Sequence, residues 1–314
     1  MTKVHLGLDV GGTASRWVAC DIGGELVARG NLGGATAHVF NPAEKDRLSG
    51  VLTQLAGAIA DAKLEVLSLT GGLTGFGPAA APDICSLAAG ALGIEPEAVL
   101  VIDDIILAYA ALFRPGEGHL VSAGTGSIGV HVSESGEVVR VGGRGILVDD
   151  AGSGSWIALQ ALDQIYRAWD RSGSFEAVEA LARHLFDKVG GTDWHDVRQF
   201  VYAGDRGRIG TLAVAVAEAA IEGDTVALTI LHKAAAELSE LAKALQARAG
   251  SGPVAIIGGV LRLHPVIAAD ISRHLAGTQI IQPQIDSALA AARLQLGDAR
   301  AQWRALLSRD SLGL

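Results

Sequence analysis

The chain alternates short apolar runs with longer segments whose apolar residues recur every three to four positions. The short runs, at 4–10, 16–20, 26–29, 66–69, 99–102, 119–122, 128–132 and 254–257, read as β-strands; their spread of Ala, Val, Leu and Ile suits strands covered on both faces. The longer segments, at 42–62, 83–92, 104–113, 153–171, 175–189, 211–222, 224–249, 265–275, 287–296 and 298–307, read as helices, with 224–249 the longest. Alternating strands and helices predict an α/β fold with a mostly parallel sheet. The start departs from that rule. Its first three strands are joined only by Gly11-Gly12-Thr13 and Gly23-Gly24, so the sheet opens as an antiparallel meander.

The pattern also repeats. Leu8-Asp9-Val10-Gly11-Gly12-Thr13-Ala14-Ser15 is similar to Val121-Ser122-Ala123-Gly124-Thr125-Gly126-Ser127: an apolar strand, a turn of Gly, Thr and Ser, then a second strand. Two copies predict two similar domains facing each other, with Arg114-Pro115-Gly116-Glu117-Gly118 as the hinge.

Composition narrows the function. The chain has 314 residues with 25 Lys and Arg against 34 Asp and Glu, a net charge of −9, which argues against a nucleic-acid partner. The longest apolar run, 212–221, contains Glu218 and is about half the roughly 18 residues of a membrane span, so no membrane partner is expected. Met1 to His5 lead directly into a strand pattern, with no signal peptide, and the two cysteines form neither a disulfide framework nor a four-ligand zinc site. Both features point to the cytoplasm. A homodimer is the default expectation for such a chain.

Glycine is the composition's odd number, 41 residues against 8 prolines. The glycines gather in short runs behind apolar strands, where they let backbone N–H groups approach an anion closely. At Asp9 to Ser15 an acid stands beside such a turn. It would repel phosphate without an intervening cation, so Asp9 reads as a carboxylate on the Mg²⁺ side, acting through water. Gly124-Thr125-Gly126-Ser127 offers the same donors without the acid, and two such turns can clasp a polyphosphate. No Gly-Lys-Ser/Thr follows either turn, and each leads to a strand, so neither is a Walker A loop or a dinucleotide fingerprint. Asp103 and Asp104 sit at the C-terminal end of a buried strand, where α/β sheets bind ligands. One acid there can cap the following helix and the other can take a proton from an attacking hydroxyl. The stretch from Gly142 to Trp156 carries five glycines beside Asp149 and Asp150, acids suited to polyol hydroxyls. Gly258-Gly259 ends a further strand in a shape that accepts a flat base or ribose.

In this order the motifs resemble the actin-like ATPase and sugar-kinase superfamily, and within it the BadF/BadG/BcrA/BcrD ATPase family, which includes N-acetylglucosamine and glucosamine kinases. The resemblance spans essentially the whole chain and is carried most specifically by the Gly142–Trp156 stretch. It implies an α/β fold of two actin-like (ribonuclease H-like) domains around a central cleft: residues 1–115 plus 287–314, and residues 116–286. It implies ATP held by Gly11, Gly12, Thr13, Ser15, Gly124, Thr125, Gly126, Ser127, Gly258 and Gly259, with Asp9 near Mg²⁺. Asp104, followed by small Ala108, matches the catalytic acid. Thr36, Asp104, Gly143, Arg144, Gly145 and Asp150 match the sugar-binding positions. Three positions depart from the family pattern. Ala151 replaces a glutamate beside an extra Asp149, Arg144 stands where an aromatic is common, and Thr36 stands where an Asn is frequent. All three fall on the sugar side.

The implied activity is ATP-dependent phosphorylation of a sugar hydroxyl, most closely that of an amino sugar. Two other classes share the motifs. An ATPase activator of a 2-hydroxyacyl-CoA dehydratase holds an iron–sulfur cluster through cysteines after the second turn, a position that neither Cys20 nor Cys85 occupies. A non-catalytic sugar or nucleotide sensor would not need both Asp9 and Asp104.

Overall fold

The computed structural model describes residues 1–204, 206–296, 302, 303 and 306. Along the chain run β1 (Thr2–Val10), β2 (Ala14–Asp21), β3 (Leu26–Gly33), α1 (Pro42–Asp61), β4 (Leu64–Leu73), α2 (Ala81–Leu92), β5 (Val99–Asp103), α3 (Asp104–Leu112), β6 (His119–Ala123), β7 (Ser127–Val132) and β8 (Val138–Gly142). They are followed by α4 (Gly154–Ser172), α5 (Glu179–Val189), α6 (Trp194–Tyr202), α7 (Arg206–Gly210), α8 (Ala213–Ile221), α9 (Thr225–Ala249), β9 (Val254–Ile257), α10 (Pro265–His274), β10 (Ile280–Ile281) and α11 (Ser287–Leu294). The helix expected over 298–307 lies largely outside the described residues.

Two five-stranded sheets result, ordered β3-β2-β1-β4-β5 and β10-β9-β6-β7-β8. Read from the first strand of each, they are the same arrangement. Three consecutive strands lie side by side, and the two later strands add on the other edge of the first. β1 pairs antiparallel with β2 and parallel with β4; β6 pairs antiparallel with β7 and parallel with β9. The expected duplication is therefore present in the topology, with each glycine turn joining the first two strands of its sheet.

The chain divides into two compact units. One comprises Met1–Glu117, Val132–Val138 and Gln284–Leu314, the other Gly118–His131 and Val139–Pro283. The division differs from the expected boundaries at Gly116–Glu117 and Gln284–Asp286, which join the first unit, and in one internal segment. Val132–Val138, assigned by sequence to the second domain, groups with the first. The Gly116 N–H donates to the Val132 carbonyl at 2.7 Å, and the buried Tyr109 hydroxyl donates to the same oxygen at 3.3 Å.

In the first unit Val4, Leu6, Leu8 and Val10 alternate along β1 and bury their side chains among Leu48, Leu52, Leu55 and Ile84 of α1 and α2. Strand alternation turns Gly7 and Asp9 to the other face. There α11 lies on β1 so closely that a Cβ on Gly7 would stand 1.8 Å from the Ala288 carbonyl oxygen. The second unit has a larger core, in which Val121, Ala123, Val254 and Ile256 pack among α4, α8, α9 and α10.

The elements that the hydrophobic pattern did not predict are short or sparsely buried. β10 has two residues, β8 five with only Val141 buried, and α6 buries only Val197 and Phe200. The expected helix at 175–189 starts later, at Glu179, after a 3₁₀ turn over Glu176–Val178.

Two glycine substitutions separate close packing from chain entropy. Gly7→Ala forces α11 off β1 and is expected to destabilise the protein by about 3 kcal/mol or more. Gly50→Ala, in α1 with nothing within 4 Å of the added methyl, is expected to stabilise it by about 0.5–1 kcal/mol. Thermal unfolding of both variants checks the pair: a Gly7→Ala midpoint equal to wild type refutes the packing account.

Candidate active site

The acids of the first unit meet because of one glycine in β4. Asp9 is in register with Gly72. A Cβ on Gly72 would stand 2.5 Å from Leu107, so this glycine lets α3 pass directly over the strand next to Asp9. α3 begins with the two acids, and the structure separates their work. Asp103 is the N-cap; its Oδ1 accepts the Ile105 N–H at 3.0 Å. Asp104 is the first helical residue, and its carboxylate accepts hydrogen bonds from the Thr74 side chain and the Ile105 N–H. Thr74 follows β4 and is held at both backbone groups, donating to Val10 O and accepting from Ala37 N, each at 3.0 Å. Sequence reasoning missed Thr74, one of many small polar residues near a strand end.

The electrostatics follow from this crowding. Burial raises the Asp104 carboxyl first, and the neighbouring charges of Asp103 and Asp9 raise it further; the Thr74 and Ile105 hydrogen bonds act in the opposite sense. The balance leaves it at about 7. Asp9 is also raised, again chiefly by burial, with Arg16 opposing and Asp286 adding to the shift. Carboxylates packed together, with Arg16 the one opposing charge at Asp9, form a hard-oxygen environment suited to a divalent cation. Among the described residues no three His, Cys, Asp or Glu side chains are arranged as a metal site. Mg²⁺ commonly uses one or two carboxylates and completes its shell with water and phosphate.

Both glycine turns have their carbonyl oxygens held. In the first turn Gly11 O accepts from Ala35 N at 3.1 Å, and Gly12 O accepts from Arg47 Nη2 at 3.0 Å. In the second turn Gly124 O accepts from Gly154 N at 2.9 Å, and Thr125 O accepts from Ser155 N at 3.2 Å. In a trans peptide the N–H points opposite to its carbonyl. The N–H groups of Gly12 and Thr13, and of Thr125 and Gly126, are therefore aimed away from these contacts, a concavity of the kind that binds anions. Gly12 and Gly124 have negative or extended φ and nothing within 4 Å of an added Cβ. Neither backbone strain nor a protein neighbour demands glycine at either position, so the bare backbone leaves room for a ligand. Thr13 and Thr125 are exposed.

The serines of both turns depart from expectation. Ser15 is fully buried and faces the Val10 side of the sheet, away from Asp9. Ser127 is 2 % exposed and its hydroxyl donates to Ala151 O at 2.7 Å. Both hydroxyls are thus turned inward, because a residue within a strand follows the strand's alternation.

The remaining expected residues gather in two places. Asp150 is buried with φ +79°. Its Oδ1 accepts the Ser127 N–H at 3.4 Å and would lie 3.0 Å from a Cβ on Gly126; this acid thus abuts the second turn. Gly143 and Gly145 both have positive φ, and Arg144 pairs with Asp149 at 3.2 Å on the exposed side of the same loop. Gly258 (φ +112°) packs on the Ala123 carbonyl, 2.2 Å from an added Cβ. This contact sets Gly258-Gly259 beside the second turn. In the first unit the Thr36 hydroxyl donates to Glu44 Oε2 at 2.7 Å. The two thiols lie inside that unit: Cys20 is buried against Ala288 and Ala292, and Cys85 donates to Val99 O at 3.6 Å.

The raised Asp104 carboxyl makes a stability prediction. The folded state binds this proton more tightly than the unfolded chain, so the carboxyl's contribution is present below about pH 4 and is lost as pH rises through about 7. Asp104→Asn is therefore expected to melt above wild type at pH 8, with the difference fading towards pH 4. An equal difference at both pH values refutes the assignment.

Comparison with known proteins identifies similar chains and a family. A curated relative, the N-acetylmuramic acid/N-acetylglucosamine kinase of Clostridium acetobutylicum, is 30 % identical over 149 residues, which are 47 % of this chain and 48 % of that protein. The match thus spans about half the length of each. A crystal structure of a Chromobacterium violaceum protein, provisionally named an N-acetylglucosamine kinase, is 26 % identical with a TM-score of 0.73, covering 93 % of this chain and 99 % of that one. A ROK-family glucokinase from Streptomyces griseus, solved with glucose and AMPPNP, shares the fold at 17 % identity and a TM-score of 0.54, covering 93 % and 98 %. The model of one family matches residues 6–294. The chain belongs to the BadF/BadG/BcrA/BcrD ATPase family.

Proposed function

We propose that this protein transfers the γ-phosphoryl group of ATP to a hydroxyl of an amino sugar of the N-acetylglucosamine class. The observation that carries the reading is Asp104, a carboxylate beside Asp9 that is pushed up to about 7, matched to taking a proton from a hydroxyl near neutral pH. The half-length relative and the Chromobacterium protein support the substrate class.

In this reading Asp104 orients the sugar hydroxyl and accepts its proton as the hydroxyl attacks phosphorus. Asp103 holds the start of α3, and Thr74 fixes the Asp104 carboxylate. Asp9 holds Mg²⁺ through water, and the metal, when bound, supplies charge neutralisation on the phosphates. The N–H groups of Gly12, Thr13, Thr125 and Gly126 take phosphate oxygens, and Gly258 and Gly259 receive the adenosine. Gly143, Arg144, Gly145, Asp150 and Thr36 belong to the sugar side. Thr36 has already donated its hydroxyl hydrogen to Glu44, so its oxygen can only accept from a ligand. In this reading the protein works as a homodimer in the cytoplasm, where its two cysteines, Cys20 and Cys85, stay free thiols.

A coupled ADP-release assay across a panel of hexoses and amino sugars tests the reading. ADP release dependent on an amino sugar is expected, with kcat/KM rising about tenfold per pH unit up to about pH 7 and then levelling. Asp104→Asn is expected to lower kcat by roughly 10²–10⁴-fold while ATP still binds. Near-wild-type turnover in that variant overturns the role of Asp104, and no sugar-dependent release across the panel overturns the kinase reading.

A further inference from the structure

In the glycine turns the carbonyl oxygens of Gly11, Gly124, Thr125 and Gly126 are held by backbone N–H groups, and one further carbonyl oxygen is held by a side chain. That one is Gly12 O, held by Arg47, thirty-five positions along the chain in α1. The guanidinium is fixed on its other arm. Arg47 Nη1 donates to Glu44 Oε1 at 3.2 Å, and the second oxygen of Glu44 accepts the Thr36 hydroxyl at 2.7 Å. Thr36 also accepts the His38 N–H at 3.3 Å. The Thr36 hydroxyl, and secondarily Arg47, hold the Glu44 carboxyl below its ordinary range. This keeps it ionised as a partner for the guanidinium.

A carbonyl turned towards a polyphosphate would repel it. Gly12 has no side chain to fix its peptide, and nothing lies within 4 Å of its missing Cβ. Gly34 closes the other side: a Cβ there would stand 2.4 Å from Gly12 O. With Arg47 in place, Gly12 O points to α1 and the Thr13 N–H points away from it.

We infer that Arg47 is a positioning residue for the nucleotide. Through the chain Thr36–Glu44–Arg47–Gly12 it fixes the Gly12–Thr13 peptide so that the Thr13 N–H faces a phosphate oxygen. The inference rests on the nucleotide part of the proposed function and not on which sugar is used. It also accounts for an arginine on the exposed face of α1 that reads from sequence as an ordinary solvated charge.

Direct titration with the ATP analogue AMPPNP and Mg²⁺, without sugar, tests it. Arg47→Met keeps the aliphatic stem and removes both donors. It is expected to weaken AMPPNP binding about tenfold, the scale of one hydrogen bond to a charged group. In turnover it raises KM for ATP by a similar factor and leaves KM for the sugar within about twofold. Arg47→Lys, which can still reach one acceptor, is expected to recover part of the loss, and Glu44→Gln is expected to lose an intermediate amount. A thermal midpoint within a few degrees of wild type shows that the fold is intact. AMPPNP affinity within twofold of wild type in folded Arg47→Met overturns the inference, as does an equal rise in both KM values. Wild-type protein that binds AMPPNP but phosphorylates no sugar overturns only the kinase reading. If Arg47→Met does not fold, Arg47→Lys and Glu44→Gln carry the same comparison.

Discussion

A planar trans peptide cannot present its carbonyl and its N–H to the same side. An anion site made of backbone therefore requires every carbonyl in the turn to find a partner on the far side, and much of this fold supplies those partners. Ala35 N and Arg47 serve the first turn, Gly154 N and Ser155 N the second. The placement of other elements follows. The loop after β3 must return under the first turn for Ala35 to reach Gly11. α4 must start beneath the second turn, so its first N–H groups are used by protein carbonyls and are not left for a ligand.

The acids obey a complementary constraint. Asp9, Asp103 and Asp104 are brought together where burial raises the energy of each charge. The structure does not neutralise all three with basic side chains. Asp103 is stabilised as a helix cap, Asp9 has Arg16 opposing its shift, and Asp104 is left near neutrality. Asp9 and Asp104 are thereby both held above the ordinary carboxylate range, while Asp103 serves as the helix cap. The condition that permits it is steric: Gly72 lets α3 cross the sheet at the level of Asp9.

Much of this was legible in the sequence because strand alternation and glycine runs are local signals. The meander of β1, β2 and β3, the duplicated turn and the helix at 287 all leave short-range traces. What was not legible is long-range. Arg47 and Thr74 act through partners 35 and 30 positions away, and nothing in their neighbours marks them. Ser15 and Ser127 look like ligand hydroxyls in a motif, yet each already lies within a strand and takes the strand's facing, which turned both inward. β8 and β10 bury too little apolar surface to leave a pattern, and pairing with β7 and β9 is what makes them strands.

The contact between α11 and Gly7 has a consequence for synthesis. β1 leaves the ribosome before the second unit is made, but the helix that covers its second face follows only after the whole of that unit. The first unit is thus obliged to wait with an uncovered sheet face while the second, larger core, contiguous in the chain but for a short excursion, can already close. Vectorial folding of this protein should run against the order of its sequence, with the amino-terminal sheet consolidated last. A nascent chain stalled before residue 287 would expose the strip beside Gly7 that chaperones recognise as unfinished.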